Sequence, residues 1–138
     1  MTRIMIVDDD VVLAEELSEA FTRAGYTVSV VHTTEQALPA IVRDPPDLII
    51  LDVMFPETPV GGFELARQIR RRRELRSLPI IHLTAINQEF PMEFSAADID
   101  GNWMPVQDFF EKPVDAARLL RRAAELLAAR PHSDAKQP

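Results

Sequence analysis

The sequence predicts a doubly wound α/β domain, and three observations carry that prediction. Five short apolar runs recur along the chain: Ile4–Val7, Val28–Val31, Leu48–Leu51, Ile80–Leu83 and Val106–Phe110. Their starts lie 24, 20, 32 and 26 residues apart, which leaves room for one helix between each pair. The runs are near-continuous rather than alternating, as expected of strands in a parallel sheet covered by helices on both faces. The segments between them carry apolar residues at helical spacing.

Each helix has its own signals. Asp10 is placed to cap the first, whose apolar stripe is Leu13, Leu17, Ala20, Phe21 and Ala24, and Gly25 is placed to end it. Thr34 is read as the cap of a second helix containing Ala37, Leu38 and Ile41. Pro39 lies inside that helix, where a proline removes a hydrogen bond and costs about 3 kcal/mol, so the element is expected to be short, kinked or displaced. Asp44-Pro45-Pro46-Asp47 breaks the chain before the third strand. A third helix is expected to begin near Gly62, to turn Leu65, Ala66 and Ile69 inward and to end before Pro79. In the last, Asp115 caps a stripe of Leu119, Leu120, Ala123, Leu126 and Leu127. The domain is read as residues 1–130, followed by a polar tail over 131–138.

Composition narrows the chemistry. A length of 138 residues suits one domain with an adequate core, and the absence of cysteine removes thiolate metal sites, cysteine nucleophiles and disulfides. His32, His82 and His132 lie 50 residues apart, so none has a neighbour at metal-ligand spacing. Gly25, Gly61, Gly62 and Gly101 supply neither a dinucleotide-binding turn nor a phosphate loop, and no serine stands in a nucleophile-elbow pattern. A net charge of −7 opposes broad nucleic-acid binding, and no apolar run approaches a membrane span. With no secretory signal at Met1-Thr2-Arg3, a cytoplasmic protein is expected.

In a doubly wound sheet the ligand site lies outside the carboxyl ends of the strands. Those ends hold Asp8-Asp9-Asp10, Asp52 and Thr84, and Lys112-Pro113 follows the fifth strand. An isolated aspartate there is commonly a turn residue or helix cap. Several carboxylates brought to one edge repel one another and call for a hard cation, and magnesium takes one or two carboxylates and often keeps several waters. Asp9 and Asp52 are the candidate direct ligands and Asp8 acts through water, while Asp10 is assigned to the helix. A carboxylate beside magnesium, with a lysine and a hydroxyl opposite, is arranged for phosphoryl transfer, with Asp52 as acceptor and Lys112 and Thr84 stabilising the transferred group.

These residues carry a resemblance. Ile4–Asp10, Pro46–Met54, Gly62-Phe63-Glu64-Leu65, Pro79–Ala85 and Phe109-Phe110-Glu111-Lys112-Pro113 together resemble, in order, the receiver domain of two-component response regulators. The resemblance runs from about residue 3 to 128. It implies a flavodoxin-like five-stranded sheet of order 2-1-3-4-5, phosphorylation of Asp52 by a histidine kinase or phosphotransfer protein, and magnesium held by Asp9, Asp52 and the main-chain carbonyl of Met54, with Asp8 in the outer shell. Thr84 is then the switch hydroxyl and Phe109 the switch aromatic, and Lys112-Pro113 matches the family's usual cis peptide.

The chain also departs from the family pattern. The loop from Met54 to Gly62 is longer than usual, and Thr84 and Lys112 are 28 positions apart, again long. The extra length holds Phe90, Met92, Phe94, Trp103 and Met104, which either form an adhesive face for an output partner or a second copy, using residues 86–110, or fold back as a loop core. The positions two beyond Asp52 and two beyond Thr84, which in receivers flank the route of the hydrolytic water, are Met54 and Ile86, both apolar, so the resemblance implies that nothing there orients a water and a long-lived phosphoaspartate is expected. Arg67, Arg70, Arg71, Arg72, Arg73 and Arg76 are read as a solvated face spread around the third helix.

The function expected first is a free-standing phosphoacceptor switch rather than an enzyme, with no helix-turn-helix segment after Arg130. A receiver-fold interaction module that does not switch is the alternative. A magnesium-dependent hydrolase with an aspartyl nucleophile ranks last, because Met54 stands where such enzymes place a second aspartate.

Overall fold

The computed structural model describes residues 2–53, 61–84 and 108–129. Its strands are β1 (Arg3–Val7), β2 (Thr27–Val31), β3 (Leu48–Asp52), β4 (Ile80–Thr84) and β5 (Asp108–Glu111). The helices are α1 (Val11–Arg23), α2 (Thr34–Arg43), α3 (Gly61–Arg71) and α4 (Ala116–Ala129), with a short 3-10 turn over Arg73–Leu75. All strand pairs are parallel and the order is β2-β1-β3-β4-β5, the flavodoxin-like arrangement.

The register sets Val7 beside both Val31 and Leu51, and Asp52 beside Leu83. Alternation of side chains then sorts the apolar runs into two cores. Met5, Val7, Ile49, Leu51 and Ile80 pack with α2 and α3, through Ala37, Ile41, Leu65 and Ile69 among others. Ile4, Ile6, Leu48, Ile50, Ile81 and Leu83 pack with α1 and α4, through Leu17, Phe21, Leu119 and Ala123. β3 is buried along its whole length, whereas β2, at the sheet edge, is only half-buried.

The helix signals hold with local corrections. Asp10 Oδ1 accepts from the Leu13 amide at 3.1 Å, and Asp115 Oδ1 accepts from the Ala117 and Arg118 amides at 3.0 and 3.3 Å. Gly25 has φ of +103°, the left-handed turn that glycine adopts at little cost. Within α1, Ala14 is buried and Ala24 is exposed as the C-cap residue, so the inward stripe sits nearer the start of the helix than expected. The cap of α2 is Thr33 rather than Thr34, its hydroxyl accepting from the Gln36 amide at 3.2 Å. Pro39 is accommodated inside this ten-residue helix on its exposed side. The carbonyl it leaves without a helical partner belongs to the exposed Glu35, where water can satisfy it.

The six arginines are not spread around one helix. α3 ends at Arg71, so Arg72, Arg73 and Arg76 lie on the 3-10 turn and beyond it. Arg67 pairs with Glu64 at 3.7 Å and Arg72 with Glu74 at 3.3 Å, while Arg70 reaches inward to donate to the Leu75 carbonyl at 3.1 Å.

At the amino ends of the strands, β1 is tied to the turn before β3. The Arg3 amide donates to Asp47 Oδ2 and the Asp47 amide to the Arg3 carbonyl, both at 2.8 Å, and the Arg3 guanidinium forks onto the Asp44 carboxylate. Among the described residues, no helix is long and apolar enough to cross a membrane.

Candidate functional site

The carboxyl ends of β1 and β3 bring Asp8, Asp9 and Asp52 together, and each offers an oxygen within 4.8 Å of those of the others. Asp8 and Asp52 are buried, while Asp9 is exposed. Lys112, just after β5, reaches over the pocket with Nζ 3.2 Å from Asp8 Oδ2 and 3.5 Å from Asp52 Oδ1. The peptide joining Lys112 to Pro113 is cis, as the resemblance implies.

Three carboxylates against one ammonium leave the pocket negative, and burial raises the cost of that charge. Desolvation, followed by the negative charge of Asp8, pushes the Asp52 carboxyl up to about 8, with Lys112 pulling it the other way. Burial alone would lower the Lys112 ammonium, but the charges of Asp52 and Asp8 outweigh it and hold the group above its ordinary range. Asp8 Oδ1 accepts from the Asp10 amide at 2.9 Å, whereas the buried Oδ2 faces Lys112 without a directed hydrogen bond. A buried carboxylate oxygen whose described partner is the Lys112 ammonium, beside oxygens close enough to share one ion, is part of a donor set that a hard dication takes.

The backbone is held as closely as the side chains. The Val53 amide donates to the Leu83 carbonyl at 3.0 Å and the Gly62 amide to the Val53 carbonyl at 2.9 Å, so α3 starts directly against the end of β3. Two histidines lie at the same edge. His32 Nδ1 is 2.8 Å from the Asp8 carbonyl and His82 Nδ1 is 2.9 Å from the Leu51 carbonyl, and since a carbonyl only accepts, both rings donate from Nδ1. His82 is fully buried, which pushes its pKa down to about 4 and keeps the ring neutral at pH 7.

The expected residues are thus assembled as far as the structure describes them. Asp8, Asp9, Asp52 and Lys112 form one cluster. For Thr84 and Phe109 the described structure gives their backbone places in β4 and β5. Met54, Ile86, the stretch from Phe90 to Met104 and the tail over 131–138 lie outside the described residues. The parts of the site that the sequence reading missed are His32, His82 and the close packing of Gly62. His82, a polar residue inside an otherwise apolar strand and two positions before Thr84, was the one available signal.

Two buried aspartates, a third exposed one and a lysine at the strand ends of a 2-1-3-4-5 sheet form the arrangement of a phosphoacceptor signalling domain. The chain belongs to the response regulator receiver domain family, which matches residues 4–124. It is 35% identical over 135 residues to the phosphate regulon transcriptional regulatory protein PhoB of Pseudomonas aeruginosa, covering 98% of this chain and 56% of that protein. To the response regulator MprA of Mycobacterium avium it is also 35% identical over 135 residues, covering 97% and 55%. The chain therefore spans about half the length of these curated relatives. Among solved structures, the signal receiver domain of a signal transduction histidine kinase from Syntrophus aciditrophicus superposes with a TM-score of 0.78 at 27% identity, over 100% of this chain and 98% of that one.

Proposed function

We propose that this receiver takes a phosphoryl group onto Asp52 from a histidine kinase or a phosphotransfer protein and converts it into a change of partner binding. The observation that carries the assignment is the burial of Asp52 at the end of the central strand, flanked by Asp8 and Asp9 and faced by Lys112. An Asp52 oxygen attacks phosphorus in line, the bond from phosphorus to the donor's imidazole nitrogen breaks, and the electron pair leaves with that nitrogen. Lys112 neutralises charge on the transferred group.

Asp9, Asp52 and the Met54 carbonyl are the proposed ligands of magnesium, with Asp8 acting through water. Magnesium bound there supplies positive charge to the phosphoryl oxygens. By resemblance, Thr84 hydrogen-bonds the captured group and Phe109 turns inward, which shifts the population of the surface around β4 and β5. The segment over 86–110 is the proposed face for an output protein or a second copy, with no nucleic-acid or membrane partner, and the cytoplasm is the proposed compartment.

Intact mass after incubation with magnesium and acetyl phosphate tests the assignment. Wild type is expected to gain one phosphate and Asp52→Ala none; an adduct that survives in the variant sinks the choice of acceptor. The lifetime tests a second point. With the apolar Met54 and Ile86 two positions beyond Asp52 and Thr84, the adduct is expected to decay more slowly after donor removal than in receivers with polar residues at both positions, and equal decay rates would refute this.

A further inference from the structure

Resting on the reading of Asp52 as acceptor, we propose that His82 is a positioning residue for phosphoryl transfer, setting from β4 the orientation of the peptide that carries Asp52. The carbonyl that His82 Nδ1 holds belongs to Leu51, so it lies in the same peptide plane as the Asp52 nitrogen. On its other side the ring meets Phe63 edge to face, with centroids 5.2 Å apart and planes at 89°. Phe63 follows Gly62, whose amide holds the Val53 carbonyl. The imidazole therefore bridges the residue before the acceptor and the first turn of α3, which is itself bonded to the residue after it.

Packing alone does not account for an imidazole here. The ring is fully buried, and once Nδ1 is committed to Leu51, Nε2 stays buried with no hydrogen-bond partner among the described residues. An unsatisfied buried acceptor opposes folding, and an apolar side chain of similar size removes it in exchange for a Leu51 carbonyl without its side-chain donor. What leucine cannot provide is the donor to the Leu51 carbonyl. A tilt of that peptide moves the Asp52 carboxylate relative to Lys112 and the incoming phosphorus, and displacements of about 1 Å are costly in reactions that depend on alignment.

Leucine and asparagine have nearly the same shape, both lose the ring, and only asparagine keeps a nitrogen donor at the place of Nδ1. With magnesium and acetyl phosphate, His82→Leu is expected to unfold at a urea concentration close to that of wild type yet to form the Asp52 adduct roughly tenfold more slowly. His82→Asn is expected to be the less stable of the two and the faster to phosphorylate. A purely structural role makes phosphorylation follow stability, so His82→Leu within twofold of wild type, or His82→Asn no faster than His82→Leu, overturns the proposal. Should His82→Leu fail to fold, imidazole nitrogen spectra of wild type decide: the Nδ1-protonated tautomer supports the proposal and the Nε2-protonated one overturns it. Wild type and Asp52→Ala in parallel separate the two levels, since an unlabelled wild type defeats the acceptor reading and this inference with it, whereas a normal wild type beside an unimpaired His82→Leu defeats this inference alone.

Discussion

Gly62→Ala is expected to remove a large share of the stability of the domain. A Cβ at this position falls 1.9 Å from the Asp52 carbonyl oxygen, 2.7 Å from Val53 Cα and 2.9 Å from the Asp52 carbonyl carbon. All three atoms are backbone, so no side-chain rotation relieves the overlap. Either the first turn of α3 withdraws, breaking the 2.9 Å bond from the Gly62 amide to Val53, or the end of β3 gives way and takes the acceptor with it. Overpacking of this kind costs about 3 kcal/mol or more, against a total of roughly 5–15 kcal/mol for an ordinary domain. The requirement is for space rather than for an unusual torsion, which distinguishes Gly62 from Gly25, where φ is +103° and nothing lies within 4 Å of the added carbon. Urea unfolding of both proteins tests it, and a difference below about 1 kcal/mol means that α3 is not held against the acceptor strand.

Asp52→Asn is expected to abolish phosphoryl uptake while making the metal-free protein more stable. The carboxyl in the folded chain titrates near 8 instead of its usual 3.8, chiefly because it is desolvated and then because Asp8 is negative. Between these values the folded protein retains a proton that the unfolded chain has released. Stability of the chelator-treated protein should therefore fall as pH rises from about 4 to about 8 and level off above that. The expected loss is at least about 1 kcal/mol, or roughly 4 °C in Tm. Asparagine keeps the shape and discards the charge, so the variant should lose this slope, and magnesium should raise the Tm of wild type most at the alkaline end. A flat profile for chelator-treated wild type, or the same slope in the variant, refutes the argument.

How much of this was legible from sequence depends on how far apart in the chain the contacting residues lie. Strands announce themselves because a covered parallel sheet needs apolar side chains on both faces, and the run Leu48–Leu51 satisfies that residue by residue. Asp10 and Asp115 are legible as caps because each bond closes within three residues. The α2 cap is misread by one position because adjacent threonines at 33 and 34 offer the same chemistry, and only the backbone selects Thr33. Asp8, Asp9 and Asp52 are legible jointly, since the rule for strand ends sends them to one edge. The bonds from His32 to Asp8 and from His82 to Leu51 span 24 and 31 residues, and no local pattern encodes them. The same holds for Gly62, whose importance lies in a carbonyl ten positions earlier.

The clasp of Arg3 with Asp44 and Asp47 gives the sheet a polarity. At one end of β1 and β3, charges are matched and backbone donors and acceptors close on each other. Five residues on, the same two strands lead into carboxylates that repel one another. The domain is thus fastened at its base, while the charge at its mouth is left for a cation or a proton to offset. A change of charge at the mouth therefore bears first on the carboxyl ends of β1 and β3, whose amino ends stay joined by backbone hydrogen bonds.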